Sequence, residues 1–379
     1  MKVAIISQLP PPIHGSTLMT RVLLETLEGQ GVEWRLVDRR FSRTVGEVGA
    51  FHLRKLFAAI GLHARLILCL RAFSPDAVIH FATNRRFSFL VDWLLSEVLR
   101  PSRPKIILYL HTVGYESLAA QGRAWAWIVR RLLTSADMVV CLGPSLHRDI
   151  ARWVPIDRVR FIANTPPDMP PPAVRIDHEG PVLFLSNALP EKGPDTFIEL
   201  AARLSAAHPE RRFVLAGSQT SEQFEVELRE RIRNADLDGR LTRVEVRDAP
   251  HKWRLLRECA VFVLPSRYPF EAQPLVVIEA MASGRPVVAF DIGGVGDVVL
   301  DGETGYLIST GDIDAMAERL IDLLSRDTLS NEISQRALRR YADFHSSESF
   351  SAAWYEALRH VVASWSTHTA EHQDDLKGR

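Results

Sequence analysis

Along the first half of the chain, short runs of β-branched and apolar residues alternate with longer stretches whose apolar positions recur every three or four residues. The short runs predict strands at 2–7, 34–37, 77–81, 106–110, 138–142 and 159–162. The longer stretches predict helices, among them 16–27, 53–71 and 124–133. Strands that alternate with helices imply a parallel sheet with crossover connections. The segment "NTPPDMPPPAVRIDHEG" at 164–180 then breaks all periodicity, and its five prolines suit a stiff linker. Beyond it the same grammar restarts. "PVLFLSN", "RFVLAGS", "RVEVRD", "VFVLPS" and "PVVAF" are strand runs, and "PDTFIELAARLSAAH" and "EQFEVELRERIRNA" are helical. Helices at about 312–326, 329–343 and 348–365 close the chain, and the residues after about 366 read as a polar tail.

The expected fold class is therefore α/β, with two doubly wound, Rossmann-like parallel-sheet domains in tandem. They are expected at 1–170 and 171–345, with the helix at 348–365 packing back on the first. Ligands of such sheets sit beyond the carboxyl ends of the strands, so a cleft faced by both sheets is the expected site. A length of 379 residues is comfortable for two cores.

Composition narrows the class. With 46% hydrophobic and 24% charged residues the chain reads as a soluble globular protein. Net charge is zero, but up to Pro172 there are 22 Lys+Arg against 13 Asp+Glu, and afterwards 24 against 33. The basic half is the better candidate to meet a phosphorylated partner or an anionic membrane surface; uneven but solvated surface is an equal reading. No nucleic-acid partner is expected. Cys69, Cys141 and Cys259 have neither metal nor redox spacing and suit buried thiols in a reducing compartment. "MKVAIISQLPPPIHG" reaches proline too soon for a signal peptide, and the apolar stretch 56–70 is too short to span a bilayer. A cytoplasmic protein, at most peripheral on the membrane, is expected. Arg54, Lys55, Arg65 and Arg71 around 51–73, and the Trp- and Arg-rich "GRAWAWIVRRLL" at 122–133, are the candidate membrane-facing helices. Both also suit helices that bury one face on the sheet.

Candidate chemistry gathers where loops leave strands. In "FEAQPLVVIEAMASG", Glu271 precedes a helix that starts near Pro274, and Glu279 lies on its second turn. Unpaired N–H groups at Leu275 and Val276 offer a place for a phosphate. Carboxylates on both sides of it could accept hydrogen bonds from the hydroxyls of a sugar and of a ribose. On spacing alone, a capping carboxylate and a solvated helix Glu remain the simpler reading.

The run from 261 to 308, "VFVLPSRYPFEAQPLVVIEAMASGRPVVAFDIGGVGDVVLDGETGYLI", resembles the signature of the family 4 retaining glycosyltransferases, which have the GT-B fold of two domains facing across a cleft, and the Ser-Asn at 186–187 resembles their bacterial surface-polysaccharide type. The resemblance implies that Glu271 contacts donor-sugar hydroxyls and that Glu279 holds the nucleotide ribose. It departs at Ala272-Gln273-Pro274, where many members have Gly-Phe-Gly, and at Pro269-Phe270, which lengthens the approach to Glu271. "SNALPEKGPDTF" resembles the family's phosphate clamp, with Lys192 in the lysine position and Asn187 where an arginine is usual; Arg267 is a candidate substitute cation. "QLPPPIHGSTL" places Gly15 and Ser16 at a helix start, matching a loop with two glycines, beside His14. "KIILYLHTVGY" puts His111 just past a strand, in the position of the family's cleft-facing histidine. Gly217 and Ala249 match loops around the base. Alone, Lys192 reads as a loop lysine and His111 as a structural hydrogen-bonder.

The function expected from the resemblance is transfer of a sugar from a nucleotide diphosphate sugar to a hydroxyl acceptor, with a lipid-linked glycan among the candidates, in polysaccharide or glycolipid assembly. The catalytic set is Glu271, His111 and Lys192. No cofactor and no metal is expected. Asp312 and Asp314 imitate a metal motif but begin a late helix, where acidic residues favour the dipole. "GGVGDVV" at 293–299 lacks the third glycine of a dinucleotide fingerprint. A GT-B sugar-nucleotide epimerase and a non-catalytic sugar-nucleotide-binding module are the alternatives.

Overall fold

The computed structural model describes residues 1–11, 13–39, 53–101, 104–187, 189–218 and 221–377, without the side chains of 53–57 and 364–377. The chain forms two units, Met1–Ala163 joined by the segment from Glu348 onward, and Asn164–Ser347.

The first unit runs β1 (Lys2–Ser7), α1 (Gly15–Gly29), β2 (Glu33–Asp38), α2 (Leu53–Phe73), β3 (Ala77–Ala82), α3 (Arg86–Leu99), β4 (Lys105–Leu110), α4 (Tyr115–Ala119), α5 (Arg123–Leu133), β5 (Met138–Cys141), α6 (Pro144–Arg148) and β6 (Val159–Phe161). Among the described residues its sheet has six parallel strands in the order β2-β1-β3-β4-β5-β6. The central strand β3 is buried along its whole length and nearly continuous in apolar residues, whereas the edge strand β2 alternates. Chain order reverses between β1 and β3, which opens the crevice of a doubly wound sheet at their carboxyl ends.

The second unit runs β7 (Val182–Leu185), α7 (Pro194–Ala207), β8 (Phe213–Gly217), α8 (Glu222–Asn234), β9 (Leu241–Glu245), α9 (Ala249–Glu258), β10 (Val261–Leu264), α10 (Leu275–Ala282), β11 (Val287–Phe290), α11 (Val295–Val298), β12 (Gly305–Ile308), α12 (Ile313–Ser325) and α13 (Asp327–Phe344). Its strands, also parallel, are ordered β12-β11-β10-β7-β8-β9, so the switch point lies between β7 and β10. The helix α14 (Ser347–Lys377) belongs to the first unit: its buried Trp354 packs edge-on against Tyr109 of β4, with ring centroids 4.9 Å apart, and Gln30 donates to the Ser351 carbonyl at 2.6 Å.

Several boundaries differ from the periodicity reading. β12 opens on a glycine and is buried only at Gly305 and Ile308, so it lacks the continuous apolar run that marks the other four-residue strands. α14 continues to Lys377 where a polar tail was expected, because no proline or glycine interrupts 366–377. Pro274 is the cap of α10, with ψ at 119°, and the helix starts one residue later. The division between units falls at 163/164, and the proline-rich segment is strapped to the second unit. The Asn164 N–H donates to Gln273 Oε1 at 2.9 Å, and the buried Arg285 guanidinium donates to the carbonyls of Val174 and Cys259. Cys141 and Cys259 are buried and Cys69 is half-buried, all as free thiols. No helix among the described residues is long and apolar enough to cross a membrane.

Candidate active site

The loops that follow β7 and β10 flank the switch point of the second sheet, and they are locked together. Gly193, with φ +81°, lies so close to the β10 loop that an added Cβ would stand 2.1 Å from the Pro265 carbonyl oxygen. The Arg267 N–H donates to the Glu191 carbonyl at 2.7 Å. Lys192 closes the joint, its Nζ 2.6 Å from Glu271 Oε2 and 4.7 Å from the Tyr268 ring centroid. Ser266 Oγ donates to the same carboxylate oxygen at 2.8 Å. Glu271 is only 5% exposed, a depth at which a carboxylate persists as an ion only when paired and hydrogen-bonded.

The backbone of Glu271 is seated from the other side by the loop after β11. Gly293, with φ +58°, would place a Cβ 1.8 Å from the Glu271 carbonyl oxygen, and the Gly294 N–H donates to that oxygen at 3.2 Å. The glycine pair that imitates a nucleotide fingerprint thus serves the approach of two loops. Gln273, in the departure from the family pattern, is buried and fastens the start of the proline-rich segment through both its side chain and its carbonyl.

α10 is apolar on every side except for Glu279, which is buried rather than solvated. Lys252 of α9 reaches it, with Nζ 2.5 Å from Glu279 Oε1 and 3.5 Å from Asp168 Oδ2 in the proline-rich segment. Burial pushes the Glu279 carboxyl above the usual carboxylate value, while the charge and hydrogen bond of Lys252 pull the other way. Leu275 and Val276 form the first turn of α10, ahead of the first helical bonds from Val277 and Ile278 to the Pro274 carbonyl.

Asn187 is exposed at the end of β7. The Arg267 guanidinium does not turn into the clamp; it is taken by Asp195 of α7, at 2.9 and 2.8 Å. Gly217 ends β8, its carbonyl accepting from the Val246 N–H at 3.0 Å, and Ala249 opens α9 after Asp248 caps it. Asp312 likewise caps α12 by accepting from the Ala315 N–H at 3.0 Å, and Asp314 pairs with Arg203. Among the described residues, no group of three or more His, Cys, Asp or Glu could hold a metal ion.

Gly15, Ser16 and His111 lie on the first unit, beyond the carboxyl ends of β1 and β4. His14 caps α1 and shares a hydrogen bond with Ser16 Oγ at 3.1 Å. An added Cβ at Gly15 would meet nothing within 4 Å, so the fold itself does not demand a glycine there. His111 stacks on Phe81 and meets Tyr109 edge-on, with centroids 5.1 and 4.0 Å away. Burial, aided by His14, pushes its imidazole down to about 3, so the ring is neutral at neutral pH.

Sequence reasoning missed four side chains of this construction: Ser266, Gln273, Lys252 and Asp168. Lys252 stands three residues after Ala249 on one helical turn, which is the local signal that could have raised it.

Two doubly wound parallel-sheet units, with paired carboxylates and lysines at the switch point of the second, define the GT-B class of fold. A solved sucrose-phosphate synthase from Thermosynechococcus elongatus shares that fold, with a TM-score of 0.77 at 18% identity over 96% of this chain and 99% of that one. The chain belongs to the family 4, or group 1, glycosyltransferases. The model described as "Glycosyl transferases group 1" matches residues 172–340, and that described as "Glycosyltransferase Family 4" matches 13–165. It is 28% identical over 253 residues to the poly(ribitol-phosphate) alpha-N-acetylglucosaminyltransferase of Staphylococcus aureus, covering 64% of this chain and 48% of that protein. It is 37% identical over 133 residues to the lipopolysaccharide core biosynthesis mannosyltransferase LpsB of Rhizobium meliloti, covering 34% and 36%. The matched regions thus span about half or less of the length of these relatives.

Proposed function

We propose that the chain is a retaining glycosyltransferase that moves a sugar from a nucleotide diphosphate donor to a hydroxyl acceptor in polysaccharide or glycolipid assembly. The observation that carries this reading is the pair of buried carboxylates, Glu271 and Glu279, on either side of the α10 N-terminus, with Lys192 bonded to the first. Glu271 would accept hydrogen bonds from donor-sugar hydroxyls and Glu279 from the ribose. Negative charge develops on the diphosphate as the glycosidic bond breaks, and Lys192 with the N–H groups of Leu275 and Val276 would meet it. Asn187 adds a neutral hydrogen-bond donor there, and Pro274 sets the entry of the helix. Gly217 and Ala249 are assigned to the base through backbone contacts. On the first unit, Gly15 and Ser16 are assigned to the diphosphate and neutral His111 to the transferred sugar or the acceptor. All of the required charge comes from side chains and backbone, so no metal enters the proposal.

The test is product analysis. Incubation with UDP-, GDP- and dTDP-sugars and glycan or lipid-linked acceptors should release nucleoside diphosphate in step with a glycosylated acceptor of retained anomeric configuration. A new nucleotide sugar without free diphosphate would make the protein an epimerase. Donor binding without either product would make it a binding module.

An anionic membrane surface is proposed as a further partner of the first unit. Ile60 and Leu68 of α2, Leu94 of α3 and Trp127 of α5 are exposed on helices that pack side by side, among the exposed Arg71, Arg123 and Arg130. The side chains of Arg54 and Lys55 lie outside the described residues, and Arg65 donates to the Asp38 carbonyl. Each basic residue near an anionic leaflet contributes about 1 kcal/mol. Co-sedimentation with anionic vesicles is therefore expected, weaker at high salt and weaker when Trp127 becomes Ala or the three arginines become Gln. Equal binding to neutral vesicles, or none to either, would remove the membrane from the list of partners.

A further inference from the structure

Glu279 presents a problem for any ribose it is to bind. It is 3% exposed, and from Val277 to Ala282 every other residue of α10 is a buried apolar one. A lone carboxylate in such surroundings takes up a proton, and a protonated carboxyl has less capacity to accept from two hydroxyls. The charged groups that face it are Lys252 from α9 and Asp168 from the proline-rich segment. Lys252 Nζ donates to Oε1 at 2.5 Å, which leaves Oε2 as the carboxylate's second acceptor.

We propose that Lys252 is a positioning residue for the nucleotide: it holds the Glu279 carboxylate charged and turned so that Oε2 faces the ribose hydroxyls, while Asp168 draws the same ammonium away. The inference rests on the reading that Glu279 holds the ribose, and it adds to that reading the residue that lets Glu279 do so. Three features support it. The ammonium is largely enclosed, so its charge acts on Glu279 with little screening. Lys252 sits one turn into the helix that Ala249 begins, which ties the assigned base loop to the ribose carboxylate. Asp168, one residue beyond Pro166-Pro167, carries the opposite charge to the same ammonium, so the two neighbours act on Glu279 with opposite sign.

That opposition makes the test specific. Titration calorimetry of the full chain with UDP, GDP, dTDP and ADP across pH 5–9 reads affinity and its pH midpoint. Wild type should bind at least one of them, more weakly as Glu279 protonates at low pH. In Lys252→Met the midpoint should rise, and below the wild-type midpoint affinity should fall by about tenfold for each unit of carboxyl shift. Lys252→Arg should restore most of it, and Asp168→Asn should move the midpoint down. In a Glu279→Gln background the carboxyl-linked pH step should vanish and Lys252→Met should have little further effect. A merely structural lysine would weaken binding without moving the midpoint. A folded Lys252→Met chain with wild-type affinity and midpoint, or the same loss in the Glu279→Gln background, would overturn the inference and leave the nucleotide reading standing. Failure of wild type to bind any of the four diphosphates would remove the nucleotide reading, and this inference with it.

Discussion

Lys192→Ala is expected to lower kcat by about 10²–10³-fold, the cost of removing one preorganised group from developing charge, with a smaller effect on donor affinity. The structure adds a second consequence. Lys192 Nζ is the closest partner of the buried Glu271 carboxylate, which among the described residues would otherwise keep only Ser266 Oγ as a side-chain partner. Removing one member of a buried pair costs up to about 3–5 kcal/mol, and because Lys192 reaches the rim of the site the lower part of that range is expected. Thermal unfolding should therefore show a destabilised second unit in Lys192→Ala. In a Glu271→Ala background the same substitution should cost little further stability, because the stranded carboxylate is gone. Both single variants should lose transfer, Glu271→Ala through loss of its hydrogen bonds to the donor sugar. Turnover near wild type in either would overturn the assignment of this pair, and additive stability losses would show that they do not act together.

Asp92→Ala is expected to have the largest effect on stability. The carboxylate is fully buried and sits at the crevice of the first sheet, where it collects Arg39 at 3.0 Å, His80 Nε2 at 3.1 Å, and both the N–H and hydroxyl of Thr83 at 2.9 Å. Arg39 also donates to the Phe81 carbonyl. Truncating Asp92 strands a guanidinium that is itself buried, at about 3–5 kcal/mol. That is a large share of the few kcal/mol that hold a domain folded, and should lower the melting temperature of the first unit by about 10 °C or more. An Asp92→Leu, Arg39→Met double variant should be more stable than Asp92→Ala, since no charge is left unpaired. Acid sensitivity should report the same group. Desolvation favours the protonated form of Asp92, but Arg39, His80 and Thr83 outweigh it and hold the carboxyl below its usual value. Its contribution is then complete above the unfolded value of about 3.9 and is lost as pH falls through the folded one. Unfolding monitored by circular dichroism should lose that acid-dependent component in Asp92→Asn. An Asp92→Ala chain as stable as wild type would show that the cluster carries no net stability.

The positions of Glu271, Glu279 and Lys192 could be picked out from the chain because each sits in a contiguous motif. What each does in the fold could not. Glu271 and Lys192, separated by 79 positions, form one ion pair. In the chain the glycine at 293 belongs to a failed fingerprint, whereas in the fold it lets its loop approach the Glu271 carbonyl. Arg267 looked available as a second cation, and Asp195 takes it.

Periodicity of two and of three to four residues is a local property, so strands, helices and the doubly wound class of both halves could be read without coordinates. The carboxylate pair belongs to the same level, since a strand, a loop and one helix place both residues within ten positions. The lysine partners, the buried Asp92 cluster and the strapped proline segment belong to another. Lys252 and Glu279 are 27 positions apart, Arg39 and Asp92 are 53, and Asn164 and Gln273 are 109. No pattern in the chain encodes such distances. They are set by the order in which strands enter each sheet, by the switch points between β1 and β3 and between β7 and β10, and by which helix faces meet there. Burial then decides the chemistry, because a carboxylate taken out of water keeps its charge only beside a cation, and only the packed fold says which cation that is.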